Sequence, residues 1–135
     1  MALVPNNESE QKLLNYIDTH ADTLFAALSS LVRVDTQNFR THGNENAGQD
    51  RLEQMCREIG LDIDRYTPDS VKGLTSLPDY MAGRGTDIRE NLVATYKVPD
   101  AKKSVMLASH MDTVQVGDVS AWHGDPFSGE IREGQ

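Results

Sequence analysis

From Glu8 onward, apolar side chains recur at steps of three and four: Leu13, Leu14, Ile17, Ala21, Leu24, Phe25, Leu28, Leu31 and Val32. That spacing puts them on one stripe of a single long helix and predicts that the stripe faces a core. Asn7 is placed to cap this helix, with Glu10 three residues on as its reciprocal partner. A polar loop from Asp35 to Asn46 leads to a second helix with apolar positions Leu52, Met55, Cys56 and Ile59, which Gly60 is suited to end in the left-handed conformation. Leu61 to Tyr66 then alternates apolar with polar, the pattern of a half-exposed strand.

Thr67 to Glu90 has neither period and contains Pro68, Gly73, Pro78, Gly83 and Gly85. A loop of that length in a small domain is usually functional or mobile. Gly83-Arg84-Gly85 lacks the third glycine and the strand-to-helix context of a phosphate loop. Asn91 to Val98 alternates again as a strand, with Leu92, Ala94, Tyr96 and Val98 on one face. Pro99 to Lys103 has the composition of a turn. Ser104 to Ser109, with Val105, Met106, Leu107 and Ala108 in succession, predicts an interior strand covered on both faces. Two helices followed by sheet strands indicate a layered α/β arrangement.

Composition narrows the function. The 135 residues, 38% apolar and 25% charged, suit one globular domain with a core. A formal net charge of -8 disfavours nucleic acid and anionic membrane surfaces, since their phosphates would be repelled. Cys56 is the only cysteine, which rules out an internal disulfide and leaves a cytoplasmic setting as the default. The start MALVPNNESEQK lacks the basic and apolar regions of a signal peptide, and no apolar run has the length of a spanning helix, so the expectation is a soluble protein.

The chemistry gathers at the end of the last apolar run. Side chains at i and i+2 of an extended segment share a face, so His110 and Asp112 point the same way. Ligand sites in open α/β sheets lie beyond the carboxyl ends of strands, where this pair is expected. Imidazole is the commonest metal ligand, and a carboxylate on its other nitrogen fixes its tautomer and raises its basicity. Alone, however, the pair is equally compatible with a histidine bonding at a strand end and an aspartate starting a turn.

Asp112-Thr113-Val114, Trp122-His123-Gly124-Asp125-Pro126-Phe127 and Gly129-Glu130-Ile131-Arg132-Glu133-Gly134 extend the pattern. In order and spacing it resembles the zinc-dependent hydrolases that include acetylornithine deacetylase, succinyl-diaminopimelate desuccinylase, aminoacylase and carboxypeptidase G. The likeness is strong from Ser104 to Gly134 and softer at Ser30 to Thr36, at the helix ending with Gly60, and at Asn91 to Ala94. Ser109 stands where that family commonly has glycine, and Gln115 where it often has proline.

The resemblance implies a three-layer zinc-peptidase-like α/β catalytic domain, of which residues 1–135 are the amino-terminal portion. The rest of that domain and an inserted dimerisation domain would lie outside this sequence. It further implies two zinc ions, with cobalt or manganese as possible replacements on the same donors. His110 would be a metal ligand and Asp112 the residue that orients it. The bridging carboxylate, the glutamate general base and the other ligands would follow Gly134. His20 and His42 read as bystanders, and His123 as a low-ranked metal candidate packed near Trp122. The substrate implied is an N-acyl amino acid or small peptide, cleaved at its amide by the parent protein and not by these 135 residues alone.

Two other readings stand beside this one. A naturally short, non-catalytic binding or assembly module would retain half of the fold. A mononuclear site of His110, Asp112 and His123 ranks last. An apolar strand without neighbours also predicts self-association or a homodimer.

Overall fold

The structure is a computed structural model that describes residues 4–132. Its elements are α1 (Glu8–Thr19), α2 (Ala21–Val32), α3 (Glu45–Glu58), β1 (Asp62–Tyr66) and β2 (Asn91–Thr95), with short 3₁₀ turns at Pro68–Ser70, Leu74–Ser76 and Val119–Ala121. Glu133 and Gly134, the end of the motif pattern, lie outside the described residues.

Helix α1 starts where the capping pattern predicts. The Asn7 side chain accepts from the Glu10 backbone N–H at 3.0 Å, and its amide donates to Glu10 Oε1 at 3.1 Å. The expected single long helix is instead two, meeting at His20, whose φ of -114° and ψ of 14° depart from helical values. Both the His20 backbone N–H (3.1 Å) and its Nδ1 (2.8 Å) bond the Tyr16 carbonyl, and the imidazole stacks on the Tyr16 ring at 3.9 Å. A side chain competing for a helix carbonyl offers the backbone a local alternative to regular helix, and the chain bends there.

The core-facing stripe is corrected as well. Leu13, Ile17, Leu24, Phe25, Leu28 and Val32 are all exposed, and no apolar residue among those described is fully buried. An amphipathic face is buried only where another apolar surface meets it, and among the described residues α1 and α2 meet each other, α3 and the turn before Gly129 only through narrow contacts.

Packing concentrates on α3, which lies against both strands. β1 and β2 pair antiparallel, with Asp62 opposite Thr95 and Tyr66 opposite Asn91. The first turns of α3 are its buried part, at Glu45, Gly48 and Gln49. Gly60 has φ 80° and closes the helix as expected.

Polar side chains bind the periphery to this centre. Arg65 on β1 bridges Asp50 (2.5 Å), Glu53 (3.0 Å) and Glu90. Asn46 brackets the end of the long loop, donating to the Ile88 carbonyl at 2.8 Å and accepting from the Glu90 N–H at 3.0 Å. Tyr80 Oη donates to Asp69 Oδ1 at 2.8 Å within the same loop.

Ser104 to Ser109 is not a strand. The segment has no ladder partner, and Val105, Met106 and Leu107 are 85%, 88% and 92% exposed. Strand structure requires neighbours for its backbone N–H and C=O groups. The two described strands pair only with each other and supply none.

Candidate functional site

The polar loop after α2 positions the histidine–aspartate pair. Thr113 N–H donates to the Thr36 carbonyl at 3.1 Å and Asn38 N–H to the Thr113 carbonyl at 2.8 Å, an isolated parallel bridge between Gln37 and Thr113. Thr36 Oγ1 donates to the Met111 carbonyl at 2.9 Å, and Gln37 Oε1 accepts from Val116 N–H at 2.8 Å. Residues 36–38 are thus joined to both sides of Asp112, backbone to backbone at Thr113 and through the Thr36 and Gln37 side chains at Met111 and Val116.

Helix α3 supports this junction from beneath. A Cβ at Gly48 would lie 2.7 Å from Thr36 Cγ2 and 2.9 Å from Met111 Sδ, so only glycine permits the close approach. The turn from Asp125 to Ser128 closes on the Asp125 side chain, which accepts from Phe127 N–H at 2.9 Å. That turn docks on α2, where Arg33 Nε donates to the Ser128 carbonyl at 3.0 Å and Ser29 Oγ donates to the Gly129 carbonyl. Gly129 has φ 58°, and a Cβ there would meet the Ser29 carbonyl at 2.5 Å.

On this frame, His110 Nδ1 lies 3.0 Å from Asp112 Oδ1 and 3.1 Å from the Asp112 carbonyl. A carbonyl and an ionised carboxylate can only accept, so Nδ1 carries a hydrogen, and in the neutral form of the ring Nε2 is the bare nitrogen. Asp112 Oδ2 accepts from Asn38 Nδ2 at 2.7 Å. The Asn38 amide holds the Asp112 carboxyl below the ordinary carboxylate range, with smaller help from His110 and Arg89, while partial burial opposes them. Arg89 is itself paired with the buried Glu45.

The predicted site residues are therefore brought together in part. His110 and Asp112 are in contact as the i, i+2 spacing requires. The structure does not gather His123 with them into a metal cage: among the described residues no three His, Cys, Asp or Glu side chains cluster to hold an ion. Trp122 donates its indole N–H to the Val116 carbonyl at 2.9 Å, which pins the loop carrying His123. His20 sits at the bend between α1 and α2, and His42 stacks on Phe39 at 4.6 Å.

Asn38 and Arg89 escaped the sequence reading. Asn38 stands in a loop rich in interchangeable polar residues, and only the stretch Ser30 to Thr36 before it hinted at the site. Both side chains also line a concave pocket of about 400 Å³ beside the pair, with Leu74, Leu77, Tyr80 and Arg84 of the long loop.

Comparison with known proteins gives partial similarity. The chain is 43% identical over 51 residues to the succinyl-diaminopimelate desuccinylase of Methylobacterium nodulans, covering 38% of this chain and 12% of that protein. It is 33% identical over 75 residues to the enzyme of that name from Cereibacter sphaeroides, covering 50% and 20%. With the Rhodopseudomonas palustris protein of the same name it shares 31% over 86 residues, covering 64% and 18%. No family model matches the chain, and no solved structure matches it. No helix among the described residues is long and apolar enough to cross a membrane. Over part of its length, then, the chain is similar to succinyl-diaminopimelate desuccinylases, and it spans between 12% and 20% of the length of these relatives.

Proposed function

We propose that these 135 residues are the amino-terminal portion of a three-layer, metal-dependent hydrolase that cleaves the amide bond of an N-acyl amino acid or small peptide. One observation carries the reading: the 3.0 Å bond from His110 Nδ1–H to Asp112 Oδ1, which leaves Nε2 free on a side chain that is 84% exposed. A neutral imidazole oriented from behind by a carboxylate is the arrangement that metal-binding histidines favour. The similarity to desuccinylases supports the same chemistry.

His110 would hold zinc, or cobalt or manganese, through Nε2, and Asp112 would aim the ring. The pair fits as one arm of a metal site. Catalytic zinc typically takes three protein ligands and an open position, so the reading assigns the remaining ligands and the general base to residues outside those described. A bound zinc ion polarises the amide carbonyl and acidifies its water. What this chain contributes is the direction and tautomer of one ligand, set by Asp112 and by the bridge to residues 36–38.

The exposure of Val105 to Leu107 favours an accompanying expectation, that the chain associates with itself or with a complementary polypeptide along this segment. The decisive experiment expresses the complete open reading frame that contains these residues and assays release of the acyl group from N-succinyl and N-acetyl amino acids. Expected are hydrolysis abolished by a chelator and restored by zinc, loss of activity in His110→Ala, and no hydrolysis by residues 1–135 alone. Hydrolysis indifferent to chelation, or to His110→Ala, refutes the proposal.

A further inference from the structure

We infer that Asn38 is a positioning residue for His110, acting through Asp112. The inference rests on the reading of His110 as a metal ligand for its purpose, though not for its geometry. A carboxylate bonded at one oxygen turns about its Cβ–Cγ bond, and its hold on an imidazole turns with it. Here both oxygens are engaged, Oδ1 by His110 Nδ1 at 3.0 Å and Oδ2 by Asn38 Nδ2 at 2.7 Å. With one donor on each oxygen, the carboxylate plane is fixed.

Asn38 can serve as that anchor because its own backbone is held. Its N–H donates to the Thr113 carbonyl, the residue after Asp112, at 2.8 Å, and Phe39 N–H bonds the His42 carbonyl at 2.8 Å. Asn38 also pairs with Gly43 across the loop. The amide is therefore presented from a closed loop fastened to the segment that it serves. Asp112 is 30% exposed at its side chain, so water competes only partly for Oδ2. Arg89 acts on Asp112 only through its charge and is paired with Glu45, so the direct bond to Oδ2 is that of Asn38.

The amide acts on the Asp112 bond alone. The Asp112 backbone carbonyl, at 3.1 Å, still accepts from Nδ1 if the carboxylate turns away. Losing Asn38 should therefore weaken the tautomer preference without abolishing it, and should free the ring to reorient.

The test is nitrogen-15 NMR of the His110 imidazole in the metal-free 135-residue chain at fixed neutral pH. In the wild type, Nδ1 should carry the shift of a protonated nitrogen and Nε2 that of a bare one. In Asn38→Leu the ratio of Nδ1–H to Nε2–H tautomers should fall about two- to five-fold, the partial loss expected for one half-exposed bond to a charged group. The ladder amides of residues 62–66 and 91–95 should be unmoved. If Asn38→Leu disturbs those amides, Asn38→Ala, which removes the donor without adding bulk or charge, must show the same fall. An unchanged tautomer ratio in a folded variant overturns the inference. Zinc chloride titrated into the wild-type sample reports on the ligand reading separately. A tautomer effect of Asn38 without zinc-induced shifts at Nε2 supports the positioning role while rejecting the metal. Zinc shifts with an unaltered ratio in both variants reject Asn38.

Discussion

Gly48→Ala tests whether α3 sets the position of the candidate site. In an open helix interior this change adds about 1 kcal/mol of stability, because alanine is the better helix former. Here the new Cβ would stand 2.7 Å from Thr36 Cγ2 and 2.9 Å from Met111 Sδ. Carbon atoms prefer about 3.5–4.0 Å, so roughly an ångström must be found. Met111 can swing its thioether aside. Thr36 cannot yield easily, since its hydroxyl is bonded to the Met111 carbonyl and its own carbonyl to Thr113 N–H. Overpacking of this kind costs about 1–3 kcal/mol, which outweighs the propensity gain and leaves a net loss of about 1 kcal/mol. Amide exchange of Thr113 and Asn38, the two donors of the bridge, reads the loss where it occurs and should quicken about five-fold. Thr36→Ser deletes the methyl group and keeps the hydroxyl. In that background Gly48→Ala should become neutral or stabilising, a coupling of at least about 1 kcal/mol. Gly48→Ala that stabilises the wild-type chain and leaves both bridge amides equally protected would refute the packing argument.

Other consequences follow from particular contacts. Asp112 is held below its ordinary value of 3.8 chiefly by Asn38, and Glu53 below its value of 4.5 chiefly by Arg65 and then Arg57. Depressed carboxyls contribute stability that is fully present above their ordinary values and lost as pH falls through the lowered ones. Protection of the β1–β2 ladder should therefore be flat from neutral pH down to about 4.5 and decline below it. Arg65→Met should flatten that decline, and an unaltered profile would contradict the bridge. Leu107→Ser, at a side chain 92% exposed, should change monomer stability by no more than about 0.5 kcal/mol and reduce association in sedimentation. A loss of about 2–5 kcal/mol, as for truncation of a buried leucine, would contradict that exposure. Asn7→Ala removes the cap of α1 and should cost that helix about 1 kcal/mol, read as faster exchange of its first-turn amides with α3 unchanged.

Features governed by near neighbours in the chain were legible in the sequence. The cap at Asn7, the stop at Gly60, the alternation that marks Asp62–Tyr66 and Asn91–Thr95 (the latter shorter than the expected 91–98) and the contact between His110 and Asp112 each depend on residues a few positions apart. The break at His20 is not legible in the sequence, because nothing in the apolar period shows a side chain bonding the Tyr16 carbonyl. Val105 to Ala108 has the composition of an interior strand without forming one, because apolarity reports what a segment would bury, and not whether a neighbour is there to bury it.

By itself, then, the sequence determined the helix cap and stop, the alternating segments, the acidic balance and the presence of a histidine and an aspartate two residues apart at the end of an apolar run. Tertiary structure decided what those features meet. It showed α1 and α2 exposing their apolar stripe, gathered the packing on α3 and the β1–β2 pair, and brought Asn38 across 74 positions to the second oxygen of Asp112. The reason lies in the range of the interactions. Backbone periodicity acts over one turn or one strand repeat, whereas burial and side-chain pairing depend on which distant segments are at hand to meet.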